Sequence, residues 1–411
     1  MKTAGHAPVV STARGEFLHL ADGTSLIDAV SSWWVITHGH CEPKIVRSIQ
    51  EQAAQLDQVL FAQFSHQKAE QLTQSIGEIL PPSLRHVFFS DNGSTSVEVA
   101  IKMVLQAWQQ RGESKRTKFM TFTNSYHGDT VGAMSVGGKS LFTRPYEKVL
   151  FSVTHARQGI LSTDPLEQYC AHALQLIEED PGEFAAIIFE PLIQGAGGMI
   201  VWPHEALKRI CATARRKGIY VIFDEVMTGF GRTGSLFAFN QLDIVPDVLC
   251  LSKGLTGGSL PLALTIANGD IYQEFLSETK EKMFFHGHSF TANPVSCAAA
   301  LANLEILRER DMQAQWQRIH RLHTHGLEQI DHPKVLDRRL CGTMAAVEIM
   351  TSELGYRSTF AEKVTQFAFA HGVFLRPLGN VIYVLPPYCI SDESLKTTWQ
   401  VIKKAIENIL D

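Results

Sequence analysis

Two apolar runs near the middle of the chain each stop on a charged side chain, and this limits the folds open to it. Val248-Leu249-Cys250-Leu251-Ser252 leads to Lys253 and then Gly254-Leu255-Thr256-Gly257-Gly258, while Tyr220-Val221-Ile222-Phe223 leads to Asp224-Glu225. Such runs read as strands buried on both faces, the signature of a parallel sheet covered by helices. Charged groups at the carboxyl ends of these strands stand at the edge where open α/β sheets bind ligands. An amine that can form a Schiff base and an acid that can keep a pyridinium nitrogen protonated are the two groups pyridoxal phosphate requires of a protein. An ordinary ion pair at a sheet edge accounts for these two residues equally well, so other motifs must decide.

Phe119 to Phe122 and Ala185 to Phe189 read as further buried strands, with helical patterns between them such as His204 to Lys217. The fold class expected is therefore α/β with a mostly parallel sheet. After a helical stretch through Asn293 to Arg308, short alternating strands (Thr343 to Ile349, Val381 to Leu385) mix with helices (Ser358 to His371, Ser391 to Leu410). This suggests a large domain over 46–310 and a smaller α+β domain over 311–411. The opening segment 1–45 is expected to contribute to the small domain and to the active site.

Composition narrows the function. The chain has 411 residues, 45% of them hydrophobic, and a net charge of -5 without a long basic run. Neither nucleic acid nor an anionic membrane surface is an expected partner; small-molecule chemistry is. Seven scattered cysteines without a Cys-x-x-Cys pair argue against a disulfide framework and a zinc ribbon. With no signal-peptide core at Met1-Lys2-Thr3-Ala4-Gly5-His6-Ala7-Pro8 and no apolar span of membrane length, a soluble cytoplasmic protein is expected.

A phosphate site is offered by Asp91-Asn92-Gly93-Ser94-Thr95-Ser96-Val97-Glu98, which follows Val87-Phe88-Phe89 and opens a helix running through Trp108. Glycine lets backbone amides approach, hydroxyls add donors, and a helix start favours an anion. Thr95 to Glu98 also matches a capping box, which is structural. Ser125-Tyr126-His127-Gly128-Asp129 places aromatic side chains at the end of a strand, where Tyr126 could cover a flat ring. Gly229-Phe230-Gly231-Arg232-Thr233-Gly234 satisfies a dinucleotide fingerprint, but bulky Leu236-Phe237-Ala238-Phe239 follows instead of a helix start. The nucleotide reading is rejected; a loop that closes over a site and presents Arg232, or a structural turn, remains. His38/His40 and His286/His288 lack a third ligand at familiar spacing, so no metal is expected.

Taken together the motifs resemble the class III aminotransferases of the type I pyridoxal-phosphate fold, over nearly the whole chain. Ser31-Ser32-Trp33-Trp34, Tyr126 to Thr130, Glu190-Pro191-Leu192-Ile193-Gln194-Gly195-Ala196-Gly197-Gly198, and Asp224-Glu225 with Thr228 to Gly234 carry the resemblance. The doubled tryptophan is the most specific, and is similar to enzymes of biotin synthesis. It implies S-adenosylmethionine as amino donor and 8-amino-7-oxononanoate as acceptor. By this resemblance Lys253 carries the cofactor and moves the proton, Asp224 pairs with the ring nitrogen, and Gly93 and Ser94 bind the phosphate. Tyr126 lies against the ring and touches substrate. His288 and Ser289 reach the phosphate of a partner subunit, Gly287 touches substrate, and the active unit is a homodimer with shared sites. Arg376 receives a substrate carboxylate, a task suited to its planar fork, and Trp33 and Trp34 line an aromatic wall. As adjacent residues of a strand they would point oppositely, one packing and one facing substrate.

The resemblance also implies an opening segment with His-Pro followed by an aromatic residue lining the donor pocket, which His6-Ala7-Pro8 does not match. The donor is accordingly the least specified element, and lysine is an alternative to S-adenosylmethionine. A sister ω-aminotransferase acting on ornithine or acetylornithine would share the cofactor residues and differ at Trp33, Trp34 and Arg376. A non-catalytic cofactor-binding relative would not need both Lys253 and Asp224. The sequence assigns no role to Glu190 or Gln194.

Overall fold

The computed structural model describes residues 7–351 and 358–410; Met1 to His6 of the opening lie outside the described residues. Among the described residues the largest sheet has seven strands, in the order Leu84–Ser90, Ala263–Asn268, Val248–Leu251, Tyr220–Asp224, Phe184–Phe189, Lys118–Phe122 and Thr154–Ala156. From Val248–Leu251 to Thr154–Ala156 all neighbours pair in parallel, whereas Ala263–Asn268 runs antiparallel to both its neighbours. The expected α/β class is thus observed. Phe184–Phe189 is buried at every residue, as the unbroken apolar run requires of a strand covered on both faces. Helix Gly93–Gln110 covers Val248–Leu251 and Ala263–Asn268, and His204–Arg216 packs on Leu166–Glu179 and Tyr220–Asp224. The parallel strands therefore deliver Phe122, Phe189, Asp224 and Leu251 to one edge of the sheet.

A second sheet pairs Val335–Cys341, Met344–Ile349 and Val381–Val384 antiparallel, with helix Met312–Glu328 packed on the first two strands. A third joins distant parts of the chain: Val10–Arg14, Phe17–Leu20 and Ser25–Asp28 run antiparallel, and Val373–Phe374 adds in parallel to Ser25–Asp28. Residues 29–37 then follow 385–388 closely. Leu385 N–H donates to Ala29 O at 2.8 Å, Ser31 Oγ to Leu385 O at 2.8 Å, and Tyr388 N–H to Thr37 O at 2.6 Å.

Arg232 fastens these two segments together. It is 2% exposed and donates to Ile36 O and Pro386 O, both at 2.7 Å, with its guanidinium 5.0 Å from the Tyr388 ring centre. Of the two readings the sequence leaves open, the loop presenting Arg232 over the site does not form, and the structural turn does. Gly231 takes φ +105° and a Cβ there would lie 2.3 Å from the Trp316 ring, so the loop turns beneath that indole and aims Arg232 inward. Arg232→Met leaves two buried carbonyls without donors, and should lower the free energy of unfolding by about 2 kcal/mol or more. Urea denaturation followed by tryptophan fluorescence measures this; an unchanged midpoint contradicts the clamp.

Candidate active site

Asp224 closes its strand and Lys253 opens the short helical turn Lys253–Thr256, and both line one cavity of about 690 Å³. Lys253 has φ +45°, a left-handed conformation costing roughly 1–3 kcal/mol, which the surroundings must enforce. Asn303 does so by donating through Nδ2 to Gly254 O and Leu255 O at 2.9 and 3.0 Å. Burial pushes the Lys253 amine down to about 8; Asp224 and Glu190 act against that shift and Arg232 with it.

Asp224 is 4% exposed, and an ionised carboxylate in that position needs donors. His127 Nδ1 stands 2.7 Å from Asp224 Oδ2, and the Val226 N–H donates to Oδ1 at 3.1 Å. The carboxylate only accepts, so His127 Nδ1 carries the proton, leaving Nε2 to face Thr121 Oγ1 at 3.5 Å. Sequence reasoning gives His127 no such role; the signal that could have found it is the need of Asp224 for a partner.

Glu190, next along the sheet edge, accepts from Tyr126 N–H at 3.1 Å and Gly195 N–H at 2.8 Å. Burial pushes its carboxyl up to about 7, opposed by His127 and reinforced by Asp224. Behind it a chain of side chains ties down the loop that carries Tyr126. Thr123 Oγ1 donates to Gln158 Oε1 (3.2 Å), Gln158 Nε2 to Gln194 Oε1 (2.6 Å), and Gln194 Nε2 to Ser125 Oγ (3.1 Å). Glu190 and Gln194 thereby gain positions the sequence did not supply, and Gln158 is an addition. Tyr126 is 39% exposed on the cavity wall, its phenol raised in pKa by burial and by Asp129.

The first turn of Gly93–Gln110 opens on the same cavity. The capping box is not the expected one: Asn92 caps the helix, accepting from Thr95 N–H at 3.1 Å while Thr95 Oγ1 accepts from Asn92 N–H at 3.2 Å. Asn92 is extended and Gly93 already helical, so the helix starts before Thr95. Glu98 is thereby free to accept from Gly132 N–H at 2.7 Å and Ala133 N–H at 3.1 Å, and from the Thr130 hydroxyl. A Cβ on Gly93 would lie 2.5 Å from Val226 Cγ1, and one on Gly128 2.3 Å from Ser94 Oγ. Bare backbone is required at both, and Ser94 Oγ accepts from Thr130 N–H at 2.9 Å.

Trp33 and Trp34 do not lie on a strand. Ser31, Ser32 and Trp34 have φ of +51°, +59° and +63°, in a kinked turn that Asp28 holds by accepting from Ser32 N–H and Oγ at 2.9 and 3.0 Å. The indoles nonetheless separate. Trp34 is 5% exposed, lines the cavity, and donates through Nε1 to the Tyr383 hydroxyl at 2.8 Å; Trp33 is 59% exposed. Arg376 lies over Trp33, guanidinium carbon to ring centre 3.7 Å, and neither is among the residues lining the cavity. Gly287 and Ser289 are exposed, and His288 Nδ1 stands 3.1 Å from Asp91 Oδ1 without the alignment of a hydrogen bond. His38 and His40 face Asn303 and Asp28, at 2.9 and 2.8 Å.

The site therefore combines an amine of lowered pKa, a buried carboxylate with fixed donors, and a helix start that opens on the same cavity. The chain is 47% identical to an adenosylmethionine-8-amino-7-oxononanoate aminotransferase of Synechococcus elongatus, covering 97% of this chain and 95% of that one. It is 38% identical to one of Geobacter sulfurreducens, covering 98% and 92%. The crystal structure of adenosylmethionine-8-amino-7-oxononanoate aminotransferase from Methanocaldococcus jannaschii superimposes with a TM-score of 0.93 at 33% identity, covering 98% and 94%. The PLP-bound form of an amine transaminase from an uncultivated Pseudomonas species gives 0.92 at 28%, covering 99% and 97%. Residues 2–406 match the sequence pattern of the class-III aminotransferases, and the chain belongs to that family.

Proposed function

We propose that the chain transfers the amino group of S-adenosylmethionine to 8-amino-7-oxononanoate, with pyridoxal 5'-phosphate as carrier. The meeting of Lys253 and Asp224 in one cavity, with the Gly93 helix start and Trp34 on its walls, carries this reading. The names of the relatives support the substrates. The residues fit the cofactor: Gly93 and Ser94, at the helix start on the cavity, offer amides and a hydroxyl to a phosphate, and Tyr126 offers a ring face. When bound, the protonated cofactor ring withdraws electrons and lets a proton leave the substrate carbon that bears nitrogen.

Lys253 Nζ would accept that proton and give it back at the cofactor carbon on the other side of the same nitrogen; with a pKa near 8, about a tenth of the amine is neutral at pH 7. Asp224, which accepts from His127 Nδ1 and Val226 N–H, would pair with the ring nitrogen. Tyr126 would cover one face of the ring. Arg376 takes the acceptor carboxylate, and aromatic faces attract the donor sulfonium. Donor and acceptor occupy the site in turn.

A homodimer and a cytoplasmic setting belong to the same proposal. Leu60, Phe64, Phe285 and Phe290 are each about 60% exposed, and Gln58 Nε2 donates to Ser289 O, so these loops adjoin. Large apolar side chains clustered on a surface support an interface, and a two-fold one would bring Gly287, His288 and Ser289 toward the partner's site. Among the described residues no helix is long and apolar enough to cross a membrane.

Lys253→Ala should lower turnover by about 10²–10⁴-fold or more while the protein still binds the cofactor non-covalently. Borohydride trapping with peptide mapping checks the attachment, and label on another lysine refutes the assignment. In rapid-mixing experiments the proton-transfer step should quicken as pH rises through about 8, because Lys253 serves as base only when neutral; a flat rate across that range contradicts its role. Mixing the cofactor-loaded protein separately with S-adenosylmethionine, lysine and ornithine tests the donor. Bleaching of the cofactor absorbance is expected with S-adenosylmethionine, and bleaching by another amine alone reassigns the donor.

A further inference from the structure

The turn that carries the two tryptophans is held in an unfavourable backbone conformation at three non-glycine residues, Ser31, Ser32 and Trp34. Strain of this kind persists only where the surroundings enforce it, and it clusters at working sites. Its outcome is specific. Lys253 Nζ lies 4.8 Å from the ring centre of Trp34, and the Arg376 guanidinium 3.7 Å from that of Trp33. Adjacent residues of one turn thus put an indole face against each of two cations.

We infer that Trp33 and Trp34 are a pair of cation rests: Trp34 holds the free ammonium of Lys253, and Trp33 holds Arg376 ready for an anionic substrate group. An indole face attracts a cation through its quadrupole, more strongly where water is excluded. Trp34 is fixed for the purpose. Its Nε1–H donates to the Tyr383 hydroxyl at 2.8 Å, the Tyr383 ring meets it edge-on at 5.8 Å, and Gly195 is bare where a Cβ would come within 3.2 Å of the indole. Tyr383 is therefore a positioning residue acting through Trp34. The charges facing Lys253 from the other elements are Asp224, Glu190 and Arg232. Once Lys253 has taken up a proton its ammonium has a defined place to rest, on the Trp34 face of the cavity wall.

The inference rests on the reading of Lys253 as the reacting amine, but its test needs neither cofactor nor substrate. Progressively fluorinated tryptophans, placed by nonsense suppression, weaken the face without removing the ring. At position 34 they should lower the Lys253 pKa in the cofactor-free protein stepwise, by about one unit in all, because the face favours the charged form. The pH dependence of Lys253 acetylation, read by peptide mass mapping, measures it. A pKa constant across the series overturns the Trp34 assignment, whatever the substrates prove to be. At position 33 the series should leave the Lys253 value in place and quicken phenylglyoxal labelling of Arg376 by about threefold; an unchanged labelling rate overturns the Trp33 assignment. Tyr383→Phe keeps the ring and removes the acceptor, and should lower the Lys253 pKa in the same direction. An unaltered value removes Tyr383 from the arrangement.

Discussion

A carboxylate at the end of a fully buried strand is costly unless donors reach it, and two reach Asp224. His127 provides one from the neighbouring loop and the chain itself provides another at Val226. Placing His127 there fixes the backbone on either side, which puts Tyr126 on the cavity wall and Gly128 against Ser94. The same loop gives Glu190 one of its two N–H donors. One requirement for charge compensation thus organises Tyr126, the Gly128–Ser94 contact and a second acid.

Lys253 presents the opposite problem. Its surroundings disfavour the ammonium through lost hydration, while Asp224 and Glu190 favour it. The balance brings the amine near the pH at which a base is useful. The glycines that follow let the backbone pass close by: a Cβ on Gly258 would lie 2.4 Å from Val35 O, so the strand-end turn packs directly beneath the tryptophan segment. The Lys253 amine and the Trp34 indole are in register because two stretches of backbone touch.

Much of this arrangement is legible in the order of the amino acids. Tyr220–Asp224 and Val248–Leu251 stand out because burial on both faces leaves an uninterrupted apolar run, and their terminal charges mark the ligand edge. Ala263–Asn268 does not stand out, since its small residues and Thr265 interrupt the apolar run; the hydroxyl is accommodated in a buried strand by its bonds to Ser96 O at 2.8 Å and Ser96 Oγ at 3.0 Å. The turn at Ser31–Trp34 reads as a strand because its shape comes from Asp28 and Leu385 and not from local preference. Arg232 stays undecided in sequence for a related reason: a guanidinium that satisfies backbone carbonyls looks there like one offered to a ligand. Residue types announce the chemistry; partners distant in the chain decide which way a side chain faces.

The bond from Ser31 Oγ to Leu385 O joins residues 354 positions apart, and it bears on the order of assembly. During synthesis the large sheet can form once Ala263–Asn268 has emerged to pair with Leu84–Ser90. The indole wall cannot, because its backbone is shaped by a stretch made almost last. A ribosome-bound chain lacking its final hundred or so residues would carry the lysine and the acid on a folded scaffold, yet leave their cavity open on one side. Completion of the pocket is thereby tied to completion of the polypeptide.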